Sequence, residues 1–479
     1  MKKNFIYNVS YQILILLIPL ITIPYVSRVL GVDGIGTYSY TYSIAYYFMM
    51  FAMLGLNNYG NRSIAKVRDN KEKLSRTFKE IYCMQIITST LMVILYFIYL
   101  NLFNIEYKKI AVIQLIYVIS CVFDINWFFF GIEKFKLTVT RNTIIKVLSL
   151  IFIFLFVKNE NDLCIYTFIL SSSVLASQLF LWPFVKRYIN NVKIKFSDIG
   201  KHFIPCLKLF FPVVAVAIYK VMDKTMIGWF SNMSEVGFYE NAEKIISVPN
   251  AIIAALGTVM LPRMSNLYAK NKEQESKKII EKSINLMMFL AFAMTFGLIC
   301  ISKNFSILFF GLGFEKSGII IILLSITVLF LSWGNVLRTQ YLIPKEYDKI
   351  YIESAFLGAI VNLILNLIFI PKYQSIGACI GTIFAELSVM LYQTISIKNE
   401  LPIKKYIKDI IPFFLKSLLM FIIIYPLNFT NLNSIMKISI QVVLACIIYY
   451  ILNYKYVNSL INIDKLVLKI RKKVQKWKI

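Results

Sequence analysis

From residue 5 to residue 454 the chain is a succession of long apolar runs separated by short polar breaks. A helix that crosses a bilayer needs about 20 mostly apolar residues, and in hydrocarbon only helices or closed barrels satisfy their own backbone. The runs therefore predict an all-α polytopic membrane protein with about 14 transmembrane helices, over 5–27, 37–59, 79–100, 110–131, 142–157, 163–185, 204–228, 236–260, 284–302, 317–341, 350–370, 375–397, 410–428 and 435–454. With 58% hydrophobic residues and a mean hydropathy of +0.68, no stretch is left for a soluble domain. The first run exceeds the apolar core of a signal peptide and ends in no small-residue cleavage site, so it is read as helix one. The segment 303–316, with FSILFFGLGF, is too short and Gly-rich to span, and is expected to extend helix nine into a re-entrant or interfacial bend.

Charge sets the expected orientation, because cytoplasmic loops carry the excess of Lys and Arg. With the N-terminus inside, the stretches 60–79, 132–146, 186–208, 263–282, 338–349, 398–416 and 455–479, together with the N-terminus, hold 41 of the 52 Lys and Arg. Both termini are then cytoplasmic. The formal charge of +27 follows from topology and anionic lipid rather than from nucleic-acid binding. The tail Lys465–Lys478, with Leu466, Val467, Leu468, Ile470, Val474 and Trp477 among its lysines, reads as a basic amphipathic helix on the inner leaflet.

One design is used twice. Val29–Tyr40, VLGVDGIGTYSY, returns as Trp229–Asn241, WFSNMSEVGFYEN. Each copy joins an acidic turn to a β-branched residue, Gly, any residue and Tyr: Ile35-Gly36-Thr37-Tyr38 and Val236-Gly237-Phe238-Tyr239. A second anchor keeps nearly the same offset, since Leu54-Gly55 precedes Arg62 as Leu256-Gly257 precedes Arg263.

Soluble-enzyme chemistry is not encoded. There is no GxxxxGK[ST] phosphate loop, and the single histidine, His202, is expected in a solvated cytoplasmic loop. The seven cysteines fall in or at the ends of spans without close pairs, as small apolar packing residues. No catalytic residue, cofactor or metal site is expected. What carries information is charge at membrane depth, which costs several kcal/mol unless it faces a cavity or a partner. Span seven carries Lys220, Asp223 and Lys224 on one helix face, and span eight carries Glu240, Glu243 and Lys244 at the same spacing. This charged hairpin is either a wall of a translocation cavity or an internally paired register device, and the two are compatible. Arg28 ends span one, where it lines the cavity or snorkels to the interface. Asp124 and Glu386 are candidates for a coupling proton or cation, or caps of buried hydrogen-bond networks. Pro19, Pro24, Pro212 and Pro249 inside spans suggest kinks.

The stretch IPYVSRVLGVDGIGTYSYTYSIAYYFMMFAMLGLNNYGNRSIAKVRDN resembles the opening of polysaccharide-export flippases of the Wzx type, in the multidrug/oligosaccharidyl-lipid/polysaccharide exporter superfamily. YKVMDKTMIGWFSNMSEVGFYENAEKIISVPNAI followed by LPRMSNL resembles the start of that family's second half. The resemblance implies two pseudo-symmetric six-helix lobes around a central cavity, 1–202 and 203–400, plus helices thirteen and fourteen over 401–454 and the basic tail 455–479. It also implies the substrate, an undecaprenyl-diphosphate-linked oligosaccharide repeat unit flipped from the cytoplasmic to the outer leaflet of the cell membrane for capsule, O-antigen or related glycan assembly. On this reading Arg28, Lys220, Lys224 and Lys244 form a cationic substrate-binding cavity, and Asp124, Asp223, Glu240 and Glu386 are the ion-coupling candidates. The expected partners are that lipid-linked glycan, membrane lipids, and the polymerase and other membrane proteins of the assembly pathway, without nucleic acid.

Three other readings remain open. A cation-coupled multidrug antiporter of the same superfamily wants an acidic, aromatic cavity, whereas the four cations suit a diphosphate. A membrane-embedded glycan polymerase or ligase wants a large outward loop with catalytic residues, and every outward loop here is short. A peptidoglycan-precursor flippase is separated only by the resemblance. The topology itself is testable: in a cysteine-free background, Asn70→Cys, Asn271→Cys and Gln475→Cys should all resist a membrane-impermeant thiol reagent in intact cells. Labelling at Asn271→Cys alone would mean a miscounted span in the first half.

Overall fold

The computed structural model describes residues 2–103 and 106–461, and the side chains of these except 2–17, 196, 212–213, 215–220 and 461. All regular structure among the described residues is helical. In chain order the α-helices are α1 (Lys2–Met53), α2 (Leu56–Val67), α3 (Lys71–Leu102), α4 (Lys108–Ser120), α5 (Asn126–Gly131), α6 (Phe135–Phe156), α7 (Leu163–Leu179), α8 (Trp182–Val185), α9 (Phe196–Gly200) and α10 (Phe203–Phe230). They continue with α11 (Met233–Ala269), α12 (Glu273–Phe310), α13 (Glu315–Ser325), α14 (Thr327–Leu337), α15 (Asp348–Tyr373), α16 (Ser375–Ser396), α17 (Ile403–Ile424), α18 (Ser434–Leu452) and α19 (Tyr454–Ile461).

Twelve helical stretches among the described residues are long and apolar enough to cross a membrane. The first of them contains the expected spans one and two, joined without a loop: α1 bends at Gly31, whose φ of 67° and ψ of −178° interrupt the helix. A residue with a side chain is strained at such a φ. The 28-residue α10 occupies the place of expected span seven, so the fourteen-helix reading and the helices agree. The chain is a multi-pass membrane protein. Its surface is built accordingly, with Phe97, Leu155, Leu363, Leu415 and Val443 among many large apolar side chains left exposed, while Gln85, Gln114, Asn362, Asn366 and Gln441 are buried. A water-soluble domain would do the reverse; a bilayer solvates the apolar face and leaves polar groups to pair inside.

Two expectations change in detail. The re-entrant bend over 303–316 reduces to a turn: α12 runs unbroken to Phe310, because an apolar backbone stretch still satisfies itself best as helix, and Gly311 and Gly313 then take φ of 109° and 89° to end it. The stretch 132–146 is not a loop throughout, since α6 starts at Phe135 and carries Arg141 to a site 2% exposed. α19 covers the start of the tail 455–479, and the expected amphipathic helix Lys465–Lys478 lies wholly outside the described residues.

By contacts the chain forms two compact units. One comprises the described part of Met1–Lys244 with Phe309–Ile320 and Ile352–Ser388; the other comprises Ile245–Leu308, Ile321–Tyr351 and the described part of Val389–Ile479. In the first unit α1 is the hub, packed against α3, α4, α6, α7 and α10. In the second unit α17 packs on α18, and Tyr449 joins α18 to α12 by donating to the Phe289 carbonyl at 2.7 Å.

The duplicated turns meet inside the first unit. A Cβ at Gly36 would lie 1.7 Å from the Met233 carbonyl oxygen, and a Cβ at Gly237 would lie 2.2 Å from that of Val32. These contacts are reciprocal under the repeat: Val32 and Gly36 of one copy correspond to Met233 and Gly237 of the other, so each copy's glycine receives the other copy's carbonyl. A two-fold relation between copies produces this pattern. Two hydrogen bonds join equivalent positions 201 residues apart, Ser234 to Asp33 and Ser39 to Glu240. The second anchor is less symmetric. Leu54 and Gly55 take φ of 41° and 76° and separate α1 from α2, whereas α11 passes straight through Gly257, whose missing side chain admits Asn335 Oδ1 at 2.6 Å from a built Cβ.

Close approach at two glycines predicts that Gly36→Leu and Gly237→Leu each force the turns apart. Each should destabilise the solubilised protein by about 1–3 kcal/mol or more, the range for overpacking, read as a lowered melting temperature with insertion into the membrane retained. Gly297→Leu, where nothing lies within 4 Å of the built Cβ, is the matched control and should be near neutral. Equal stability of all three variants would remove the mechanical meaning of the repeat.

Candidate functional site: a charged hairpin beside a polar cage

The hairpin of α10 and α11 turns at Ser231 and Asn232, and the Asn232 side chain accepts from the Glu235 amide at 3.0 Å to start α11. Lys224 reaches across it. Its Nζ donates to Glu240 at 2.9 Å and to Glu243 at 3.1 Å. Ser39 of α1 donates to the same Glu240 oxygen at 2.7 Å, and Lys244 pairs with the other Glu240 oxygen at 3.2 Å. Glu240 thus holds two cations and a hydroxyl while its side chain, like that of Lys224, is 14% exposed. Such a desolvated pair persists only with this degree of satisfaction. Counting the described side chains, Lys224 and Lys244 are matched by Glu240 and Glu243, so the quartet is neutral.

Asp223 precedes Lys224 by one residue and therefore faces about 100° away around the helix. It is 2% exposed and accepts from Tyr239 at 2.6 Å, from Asn366 of α15 at 2.6 Å and from Thr382 of α16 at 2.7 Å. The Asn366 amide also donates to Asn362 Oδ1 at 3.1 Å. Asn366 Oδ1 and Asn362 Nδ2 are buried with no partner. The fit is tight because Gly381 has no side chain: a Cβ there would sit 2.2 Å from Asn366 Oδ1. One carboxylate, two hydroxyls and two amide oxygens, one of them orphaned, make an oxygen-rich cage suited to a proton or a hard monovalent cation.

Of the remaining sequence candidates, Arg28 is on α1, Glu386 on α16 and Asp124 between α4 and α5. Arg28 is exposed, with its aliphatic stem over Gly311. The side chain of Lys220 lies outside the described residues. Glu386 is 7% exposed in α16. Asp124 stands where expected span four is broken between α4 and α5, with a 3-10 turn over Cys121–Phe123. There it accepts from the Asn126 backbone at 2.9 Å and side chain at 2.7 Å, and so starts α5. Gln85 takes up carbonyls freed by the break, donating to Cys121 and Asp124 at 2.7 and 2.8 Å.

Several polar residues escape a search for charge inside apolar runs. Arg141 looks like a loop cation because it precedes its run, yet its guanidinium is held by Asn126 at 2.8 Å, by Asn142 at 2.6 Å and by the Ser177 carbonyl at 2.9 Å. Glu235 pairs with Lys316 at 2.6 Å and accepts from the Ser375 amide at 3.3 Å, where its negative charge meets the first turn of α16. His202 is not solvated: it is 6% exposed, between Tyr59 at 2.7 Å and Glu80 at 3.0 Å. The reason is that α9 and α10 bring it down onto α2 and α3, which a linear reading treats as separate loops. In the second unit and outside the spans, Glu400 gathers Lys345 at 3.3 Å and Tyr347 at 3.1 Å, together with Tyr341. Partial burial pushes its carboxyl up, but these donors prevail and hold it below the usual range. All seven cysteines are free.

Comparison with known proteins gives a consistent result. A protein of Escherichia coli (strain K12) named "Putative O-antigen transporter" is 24% identical over 406 residues, 84% of this chain and 97% of that protein. The "Capsular polysaccharide biosynthesis protein CapF" of Staphylococcus aureus is 23% identical over 394 residues, 79% of this chain and 95% of its own. Among solved structures, "Lipid II flippase MurJ, inward closed conformation" superposes with a TM-score of 0.78 at 20% identity, over 96% of this chain and 100% of that one, and so shares the fold. The family described as "Polysaccharide biosynthesis protein" matches residues 1–268. That match takes in both copies of the Gly-x-Tyr turn and the whole charged hairpin, and the chain belongs to this family of membrane proteins.

Proposed function

We propose that this protein is a flippase that moves an undecaprenyl-diphosphate-linked oligosaccharide repeat unit from the cytoplasmic to the outer leaflet of a bacterial inner membrane, for assembly of a surface polysaccharide. The observation that carries the reading is Lys224, held at membrane depth between Glu240 and Glu243 in a chain whose relatives bear the names of O-antigen transport and capsule biosynthesis. A dianionic diphosphate cannot cross hydrocarbon unaided. The neutral quartet is a place where it can be received: as the head arrives it competes with Glu240 and Glu243 for Lys224 and Lys244, and the displaced carboxylates turn to Ser39 or water. The site is then cationic toward substrate and compensated without it. Arg28 and Lys220 belong to the same binding surface in this proposal, and the halves 1–202 and 203–400 rock about it in alternating access. Nothing covalent happens to the substrate, so the protein acts as a transporter rather than an enzyme.

Energy enters through a coupled ion. Among the sequence candidates Asp223 is supported best, by its cage of Tyr239, Asn366 and Thr382 and by the orphaned Asn366 oxygen. Glu240 is occupied by cations and Asp124 by the start of α5.

Two experiments test the proposal. Lys224→Gln leaves the quartet with one carboxylate uncompensated, since Lys244 still pairs with Glu240; this should lower protein abundance, and the second change Glu240→Gln should restore it. If Lys224 meets the diphosphate, the restored double variant should still fail to export glycan, with lipid-linked precursor accumulating on the cytoplasmic leaflet; recovery of export along with abundance would assign Lys224 to structure alone. In proteoliposomes, Asp223→Asn should abolish the response of flipping to an imposed proton or sodium gradient, while Glu386→Gln keeps it. The opposite pattern would move the coupling site to Glu386.

A further inference from the structure

Within the first unit, α1, α4, α5, α6 and α7, with Asn57 of α2, line a half-open cavity of about 720 Å³, inside the range of about 300–1,000 Å³ found for small-molecule sites. None of the charged residues of the hairpin lines it, so it is a separate compartment. Its wall has two chemistries. One side is aromatic: Tyr38, Tyr117 and Tyr166 meet there, the first two joined through their hydroxyls at 2.8 Å and the first and third edge to face at 5.1 Å between centroids. The other side is a lattice of planar groups, Asn126, Asn142, Gln178 and the Arg141 guanidinium, with Lys146 beyond.

Those groups are fixed before anything binds. Arg141 touches Asn126, Asn142 and the Ser177 carbonyl, Asn126 donates to Gln178 at 3.0 Å, and Asp124 orients Asn126. Keeping such a lattice at membrane depth is expensive, and a lipid chain or apolar drug would offer this polar wall no hydrogen bonds. A sugar ring satisfies both walls. Its C–H face packs on tyrosine, which offers an apolar body with a polar tip, and its hydroxyls, each a donor and an acceptor, match amides that present both. Position supports the same occupant. Thr22 and Tyr166 line this cavity and also the small void of about 30 Å³ that Lys244 and Asn241 line, so the two spaces adjoin across one tyrosine.

We propose that this cavity is a glycan subsite, which takes the sugar nearest the diphosphate while the diphosphate lies at Lys224 and Lys244. The inference rests on the flippase reading and adds to it a separate locus of sugar recognition, built from amides, tyrosines, Asp124 and the buried Arg141 rather than from the hairpin. Recognition of head and glycan is thereby divided between two compartments of one unit.

The test uses full-length protein in nanodiscs and two probes: undecaprenyl diphosphate without sugar, and the oligosaccharide released by mild acid from the cell's own lipid-linked precursor. Ser173→Phe fills the cavity from α7, and Asn142→Leu removes one amide from its wall; melting temperature verifies that each is folded. Either folded variant should bind the oligosaccharide about tenfold more weakly while holding undecaprenyl diphosphate within about twofold. Unchanged oligosaccharide binding in both, or equal loss of both probes, would overturn the subsite. Wild-type protein that binds undecaprenyl diphosphate but not the oligosaccharide overturns it as well and leaves the flippase reading standing. Wild-type protein that binds neither probe brings down the flippase reading first.

Discussion

A carboxylate keeps its charge in a bilayer only where cations and donors surround it, and Glu240 is where that requirement organises the molecule. It draws Lys224 from the neighbouring helix, Lys244 from the next turn of its own and Ser39 from α1. Three segments distant in sequence are thereby held to one point. The requirement also explains why the hairpin carries three carboxylates among its cations: an uncompensated lysine at this depth would destabilise the protein.

The Glu240 cluster depends in turn on how closely the repeated turns approach. Ser39 and Glu240 are equivalent positions 201 residues apart, so their hydrogen bond lies near the relation that exchanges the two copies. Only glycine at 36 and 237 lets the backbones come near enough for so short a side chain as serine to reach across. Both copies carry the same small-residue turn, but at this pair of positions one presents a hydroxyl and the other a carboxylate, so the contact between equivalent positions is polar and cation-binding.

How legible this was in the sequence follows from what each feature needs. Spans are local, and the apolar runs located nearly all of the helices; the duplicated Gly-x-Tyr turn could be found because both copies are contiguous motifs. The charged hairpin was legible for the same reason, since its residues are brought together by one tight turn. The Asp223 cage was only half visible: the carboxylate stood out inside an apolar run, but Asn362, Asn366 and Thr382 are ordinary polar residues whose meaning appears when α15 and α16 pack against α10. Arg141 and His202 were misplaced because a cation or histidine at the edge of an apolar run reads as loop, and burial of such an edge is decided by tertiary packing. The break after Ser120 carries no Pro or Gly to announce it; it is sustained by Gln85, 36 residues earlier, which takes up the freed carbonyl of Cys121.

The adjacency of Asp223 and Lys224 gives the proposed cycle its coupling. Successive residues on a helix point about 100° apart, so the cage and the hairpin quartet are two faces of the same turn of α10, and α11 contributes Tyr239 to one and Glu240 to the other. An ion that alters how Asp223 is held by Asn366 and Thr382 must shift or rotate this turn, and the same displacement changes the reach of Lys224 to Glu240 and Glu243. Linkage makes the effect reciprocal: whatever the ion contributes to releasing Lys224, an anion bound at Lys224 contributes equally to the affinity of the cage. On this proposal, coupling of ion and lipid-linked substrate would need no long pathway through the protein, because both would be read by neighbouring residues on one turn of α10.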